Sequence, residues 1–304
     1  MITSKETLDA LRDCPHYGIA ELLQIMQVLR SENSCPWDRE QTHQTIRQDL
    51  LEECYEAVEA IDMDSVPMMR EELGDVLLQV VFHCQLEAEQ GHFDFGDICD
   101  EVCRKLVIRH PHVFGEVTVS DSGEVLRNWD SIKKQTKHQE TAAETLEGVC
   151  KALPALMYAQ KLGKRAARAG MDWDSAEGAL DYVRRETDEL ADAMQKGDAA
   201  QIEEELGDLL FSCVNTARHL QVDAETALRG AAVKFLRRFA ETEKLVLADG
   251  KDMSALPLEE LDRYWDQAKK HTAEKTENKE IQNRQENDHS GCDPLKPADP
   301  NISH

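Results

Sequence analysis

Apolar residues recur every three or four positions along most of the chain up to about residue 271, the spacing that gives a helix one buried face. Ile19, Leu22, Leu23, Met26 and Leu29 set one such face over 18–32. Ile46, Leu50, Cys54, Val58 and Ile61 set the next over 41–62, and a third runs over 66–89, where Ser65 and Pro67 mark its start. Shorter helices are predicted near 94–108 and 122–137. The second half repeats the scheme near 152–168, 176–196, 199–219, 223–247 and 257–270. Glycine, proline and aromatic residues are sparse for 304 residues, which disfavours the turns and side chains of a strand-rich fold. The expected class is all-α.

After residue 271 the pattern stops. The stretch 272–304 is polar and holds three of the nine prolines, so it lacks the apolar side chains that offset ordering entropy, and a disordered tail is expected. Length favours about two domains, placed at 18–138 and 152–271 with a linker at 139–151.

A formal charge of −25 argues against affinity for long nucleic acid or an anionic membrane. Phosphates remain accessible to an acidic chain if divalent cations bridge the two. The opening MITSKETLDALRDC has no basic segment followed by an apolar core, as a secretion signal would. No apolar run approaches the ~18–20 residues of a membrane span. Nine irregularly spaced cysteines, without a CxxC, read as reduced thiols in a cytoplasmic protein rather than as a zinc site.

The most informative feature is an internal repeat. EELGDVLLQVV at 71–81 returns as EELGDLLFSCV at 204–214, and Glu53, Glu56, Glu72 and Asp75 return as Glu186, Glu189, Glu205 and Asp208, each 133 residues later. Each copy reads ExxE, fifteen residues, ExxD. An ExxE pair points both carboxylates to one helix face, and fifteen residues let the chain turn and run back, so four carboxylates converge between two helices. A single ExxE is most often a solvated acidic face; two copies with one spacing favour a metal site. The second helix of each pair is apolar nearly all round and therefore expected to be buried. Carboxylates at its edge would meet desolvation and like-charge repulsion, which a hard divalent cation relieves. Mg²⁺ suits a site completed by water and phosphate, whereas a di-iron bundle would need Glu-x-x-His at the site, and His83 and His219 stand eight and eleven residues past the aspartates, not three after a glutamate. Gly74 and Gly207, inside these helices, suggest close helix approach beside the acids.

Basic and aromatic residues repeat in the same order. Lys105 and Arg109 match Lys234 and Arg238, a helix-face pair able to grip phosphate. Trp129 and Lys133 match Trp265 and Lys269, an aromatic plane with a nearby charge that suits a nucleobase. Trp37-Asp38 also matches Trp173-Asp174. His110-Pro111-His112 reads as a helix stop and KRAAR at 164–168 as a basic helix end, so both are left outside the site.

EExxE, a spacer and ExxD, together with CPWDREQTH at 35–43, RHPHVFG at 109–115, GMDWD at 170–174 and KFLRRF at 234–239, resemble the two-domain bacterial members of the MazG-type nucleoside triphosphate pyrophosphohydrolases, within the all-α NTP pyrophosphatase superfamily. The resemblance spans about 20–270. It implies tandem helical-bundle domains that hydrolyse NTPs or dNTPs between the α- and β-phosphates with Mg²⁺. The eight acids would hold metal, Lys234, Arg238, Trp265 and Lys269 with Lys105, Arg109, Trp129 and Lys133 would meet the nucleotide, and a homodimer formed through apolar faces is expected. The leading acid of EExxE is Glu52 in the first copy but Arg185 in the second, where Glu204 is the substitute candidate for handling the attacking water. A narrow dUTP or dCTP pyrophosphatase, and a non-catalytic helical scaffold with structural Mg²⁺, are the alternatives.

Overall fold

The computed structural model of the chain describes residues 4–125, 128–129, 132 and 141–273. Among the described residues there are helices, turns and a 3₁₀ turn, and no strand. The chain divides between residues 138 and 139 into two compact units. The predicted tail from 274 onward and Lys133 lie outside the described residues.

The first unit runs α1 (Lys5–Arg12), α2 (Ile19–Leu29), α3 (Pro36–Glu40), α4 (Arg47–Asp62), α5 (Val66–Gln90), α6 (Phe95–Arg109) and α7 (Pro111–Phe114). Helical residues at 122–125, 128–129 and 132 mark α8. Helices α4 and α5, joined by three residues, form the main packed pair, and α2 lies across α5. The core is Met26, Ile46, Val81, Phe82 and Leu86, with Leu22, Leu23, Leu78 and Phe95 against it. As expected, Ser65 stands at the N-cap of α5 and Pro67 in its first turn. The helix ends at Gly91, whose left-handed φ of 73° lets its N–H and that of His92 return to the last turn.

The helix expected from residue 41 begins instead at Arg47. Thr42 and Thr45 explain the delay: each hydroxyl accepts the other residue's backbone N–H, at 3.3 and 2.9 Å, and such bonds compete with helix formation. Arg30 ties this irregular segment down. Its side chain, 7% exposed, forms a two-pronged pair with Glu89 at 2.7 and 2.8 Å, donates to the carbonyl of Asp38, and lies over the Phe82 ring.

The second unit runs α9 (Ala142–Glu147), α10 (Ala155–Arg168), α11 (Ala176–Lys196), α12 (Ala199–His219), α13 (Ala224–Ala248) and α14 at 258–273. Helices α11 and α12 form its main pair, and α10 packs against α9, α12 and α13. The stretch read as a linker, 139–151, thus contains α9, started by a reciprocal cap between Thr141 and Glu144. Buried Gln160 joins α10 to the α12–α13 turn, donating to the Val222 carbonyl and accepting from Ala224 N–H. Ser175, Asp198 and Asp223 cap α11, α12 and α13 through their side-chain oxygens.

The expectation that α5 and α12 are buried all round needs correcting. Leu73 and Leu77 on α5, and Leu206 and Leu210 on α12, stay open to solvent in the single chain, whereas Val81, Phe82, Cys84 and Leu86 farther along α5 are buried. An apolar residue identifies a face fit for burial but not the element that covers it, and here each pair leaves one apolar stripe uncovered. Among the described residues no helix is long and apolar enough to cross a membrane. The cysteines within them are free thiols.

Candidate metal centre

The acids converge as their spacing requires. Carboxylate oxygens of Glu53 and Glu56 on α4 and Glu72 on α5 lie within 4.8 Å of one another. In the second unit Glu186 on α11 and Glu205 and Asp208 on α12 do the same. Asp75 and Glu189 stand outside these triplets but remain electrostatically part of them. After burial, Asp75 is the strongest influence raising the pKa of Glu53, and Glu189 is the strongest neighbouring charge on both Glu186 and Glu205. Burial and then like charge therefore hold Glu53, Glu72, Glu186 and Glu205 above the ordinary carboxylate range. A set of hard oxygen donors carrying unfavourable charge fits a divalent cation.

Glu52 and Glu204 are exposed beside the clusters and add to the repulsion on Glu53 and Glu205 respectively. Arg185, which replaces the leading acid in the second copy, lies 3.9 Å from Glu189 and stacks over the Tyr182 ring. It partly offsets the rise at Glu186.

Among the described residues no ion pair joins Lys105, Arg109, Lys234 or Arg238 to either cluster. Lys105 and Lys234 are exposed, while Arg109 and Arg238 are half-buried and the Nε of Arg238 is enclosed without a partner. Trp265 packs against Phe235 with ring centroids 5.3 Å apart, and Lys269 pairs with Asp266 at 2.6 Å. Trp129 meets His110 edge-on at 5.2 Å, so His110 does more than stop a helix.

Gly74 and Gly207 do not mark a close approach among the described residues of their own units, because a Cβ at either position would meet nothing within 4 Å. Alanine there is expected to stabilise the protein by about 0.5–1 kcal/mol through helix propensity. Urea midpoints of Gly74→Ala and Gly207→Ala test this, and a fall would show that something outside the chain packs on these glycines.

Two polar networks were not visible in the sequence. In the first unit His43 Nδ1 lies 2.7 Å from His83 Nδ1, and His43 Nε2 lies 2.6 Å from a Glu87 oxygen whose partner oxygen meets His92. The two rings are 1° from parallel with centroids 5.0 Å apart, which with a 2.7 Å nitrogen separation places them edge to edge in one plane. Burial, then the neighbouring His43, depress the His83 pKa. The unfolded chain consequently binds a proton near the ordinary histidine value that the folded chain resists, so stability falls as pH drops below about 6.5. Melting curves at pH 7.5 and 5.5 should show a larger loss for the natural protein than for His83→Gln. In the second unit Asp172 accepts from Arg218 and lies 2.9 Å from His219, and the Arg218 bond foremost brings its pKa down to about 2. Trp173 of the second WD motif sits beside the second network, donating its backbone N–H to Asp172 and meeting the His219 ring edge-on, but partners forty or more residues apart have no local signature.

The model of the MazG nucleotide pyrophosphohydrolase domain matches residues 41–114 and 174–242, once in each unit. A nucleoside triphosphate pyrophosphohydrolase of Escherichia coli (strain K12) is 46% identical over 255 residues, covering 83% of this chain and 97% of that protein. The chain belongs to the MazG family. The nucleoside triphosphate pyrophosphohydrolase/pyrophosphatase MazG of Thermotoga maritima is 45% identical over 249 residues, 82% of this chain and 94% of that one. A nucleoside triphosphate pyrophosphohydrolase of Mycolicibacterium smegmatis is 32% identical over 221 residues, 72% and 64% of the two chains. The architecture is accordingly a tandem repeat of MazG-type helical units, and each matched segment contains one of the acid clusters.

Proposed function

We propose that the chain hydrolyses nucleoside triphosphates between the α- and β-phosphates, releasing a nucleoside monophosphate and pyrophosphate, with Mg²⁺ as cofactor. The observation that carries this reading is the recurrence of a converged carboxylate cluster inside each MazG match, two acids of each held above their ordinary pKa. Glu53, Glu56, Glu72 and Asp75 would hold metal in the first unit, and Glu186, Glu189, Glu205 and Asp208 in the second. When bound, the ion would supply charge neutralisation and Lewis acidity toward a phosphoryl group.

The chain's own residues have separate tasks. Glu52 and Glu204, exposed at the cluster edges, would orient or deprotonate the water. A guanidinium such as that of Arg185 is a donor only and cannot take a proton from water, so the second unit would depend on Glu204 for this. Lys234 and Arg238, and Lys105 and Arg109, carry the donors that phosphate oxygens require. Trp265 with Lys269, and Trp129 with Lys133, would close over the nucleotide.

Broad substrate range, a homodimer and a cytoplasmic setting belong to the same proposal. The uncovered stripes Leu51, Tyr55 and Val58 on α4 and Leu206 and Leu210 on α12 support a second copy as partner, and the free thiols suit a reducing compartment. A pyrophosphate-release assay on the full chain, with every common NTP and dNTP and with Mg²⁺ or EDTA, tests the reading. Metal-dependent release from several bases supports it. Release from dUTP or dCTP alone gives the narrow alternative, and no release from any substrate rejects the proposal.

A further inference from the structure

In the first unit the end of α5 and the segment before α4 bring metal-ligating side chains together, away from the acid cluster. One carboxylate oxygen of Glu87 lies 2.6 Å from His43 Nε2, and the other lies 2.6 Å from His92 Nδ1. No local spacing announces this set, because His43 and Glu87 are 44 residues apart. Gly91 brings His92 into place. Its left-handed φ of 73° turns the chain back, so that His92 N–H reaches the Glu87 carbonyl at 3.1 Å and the imidazole returns to the Glu87 carboxylate. Glu87 follows Glu72 by fifteen residues on α5, so about 22 Å of helix separates this set from the acid cluster.

His83, one turn before Glu87 on the same helix face, completes the arrangement. A metal-bound imidazole carries its hydrogen on the nitrogen away from the ion, and an acceptor there fixes its ring and tautomer. His83 Nδ1, coplanar with and 2.7 Å from His43 Nδ1, is that acceptor for a His43 ligating through Nε2. The side chains of Glu87, His43 and His92 are 18%, 34% and 63% exposed, so an ion can enter from solvent and keep a water. Hydrogen bonds hold the three in a row rather than around one point, and His92, the most exposed, is the ligand able to draw inward. The second unit builds the matching helix without these groups. Thr216 and Leu220 stand 133 residues after His83 and Glu87, and Leu220 is 59% exposed, so the fold does not demand the donors.

We infer that His43, Glu87 and His92 form a site for a divalent transition ion of the zinc class, with His83 positioning His43 and water in the remaining place. Two imidazole nitrogens and a carboxylate oxygen suit Zn²⁺ at about 2.0–2.2 Å, whereas Mg²⁺ takes oxygen ligands. The ion fastens the irregular segment that leads into α4 onto the end of α5, a task separate from phosphate chemistry. Calorimetric titration of the chelator-treated full chain with Zn²⁺, in excess Mg²⁺ to fill the acid clusters, tests it. The natural protein should bind a Zn²⁺ ion whose X-ray absorption shows nitrogen and oxygen neighbours and no sulfur. Glu87→Gln and His92→Gln should each weaken that binding at least about tenfold, and His83→Gln about tenfold, the scale of losing a group that orients a ligand. Helical melts confirm that each variant folds, and His92→Gln alters an exposed side chain. The Glu72→Gln/Glu205→Gln double variant should bind Zn²⁺ as the natural protein does. No Zn²⁺ binding, sulfur around the bound ion, unchanged binding in folded Glu87→Gln and His92→Gln, or loss in the double variant each overturns the inference.

Discussion

Changing Glu72 and Glu205 together to glutamine is expected to lower Mg²⁺-dependent pyrophosphate release at least about 100-fold, since loss of a group merely supporting a metal ligand already costs about 10–100-fold. Each single variant reports the share of turnover carried by its own unit. The same substitutions should raise the melting temperature of the metal-free protein. Both carboxylates have raised pKa values, through burial first and neighbouring acids next. A raised folded pKa contributes stability below the unfolded value near 4.5, and that contribution disappears as pH rises through the folded value. At neutral pH the charged cluster therefore opposes folding, and an uncharged isostere relieves it. Mg²⁺ should stabilise the natural protein by mass action and the double variant much less. Activity loss accompanied by a gain in apo stability is the signature of a ligand set; loss of both would indicate a structural role.

Arg30→Ala should destabilise the first unit by about 2–3 kcal/mol. Removing one partner of a fully buried pair costs about 3–5 kcal/mol, and Glu89 is 36% exposed, so water recovers part of that. The loss also frees the Asp38 carbonyl and uncovers the Phe82 ring. A urea midpoint that falls for Arg30→Ala and is largely kept for Arg30→Lys would make charge the main term. Equal losses would assign the effect to the forked geometry, which lysine cannot reproduce.

The helices were legible because their apolar periods and caps are local: Ser65 and Pro67 announce α5. The acids were legible because ExxE fixes a shared face within one turn, and repetition removes most of the ambiguity of a glutamate-rich segment. Tertiary arrangements were less legible. Thr42 and Thr45 delay α4 by a side-chain exchange that periodicity cannot see. Trp265 rests on Phe235, and the Asp172–Arg218 pair closes over forty-six residues. Leu206 and Leu210 have the chemistry of a buried stripe, yet they stay open to solvent, and periodicity does not say what covers an apolar face.

On the proposed function, the paired acid clusters serve cleavage between the α- and β-phosphates. Phosphorus NMR of the full chain turning over an NTP with Mg²⁺ tests it most directly. Nucleoside monophosphate and pyrophosphate should accumulate in equal amounts, and both signals should vanish in the Glu72/Glu205 double variant. Nucleoside diphosphate with inorganic phosphate as products, or undiminished pyrophosphate from the double variant, would contradict it.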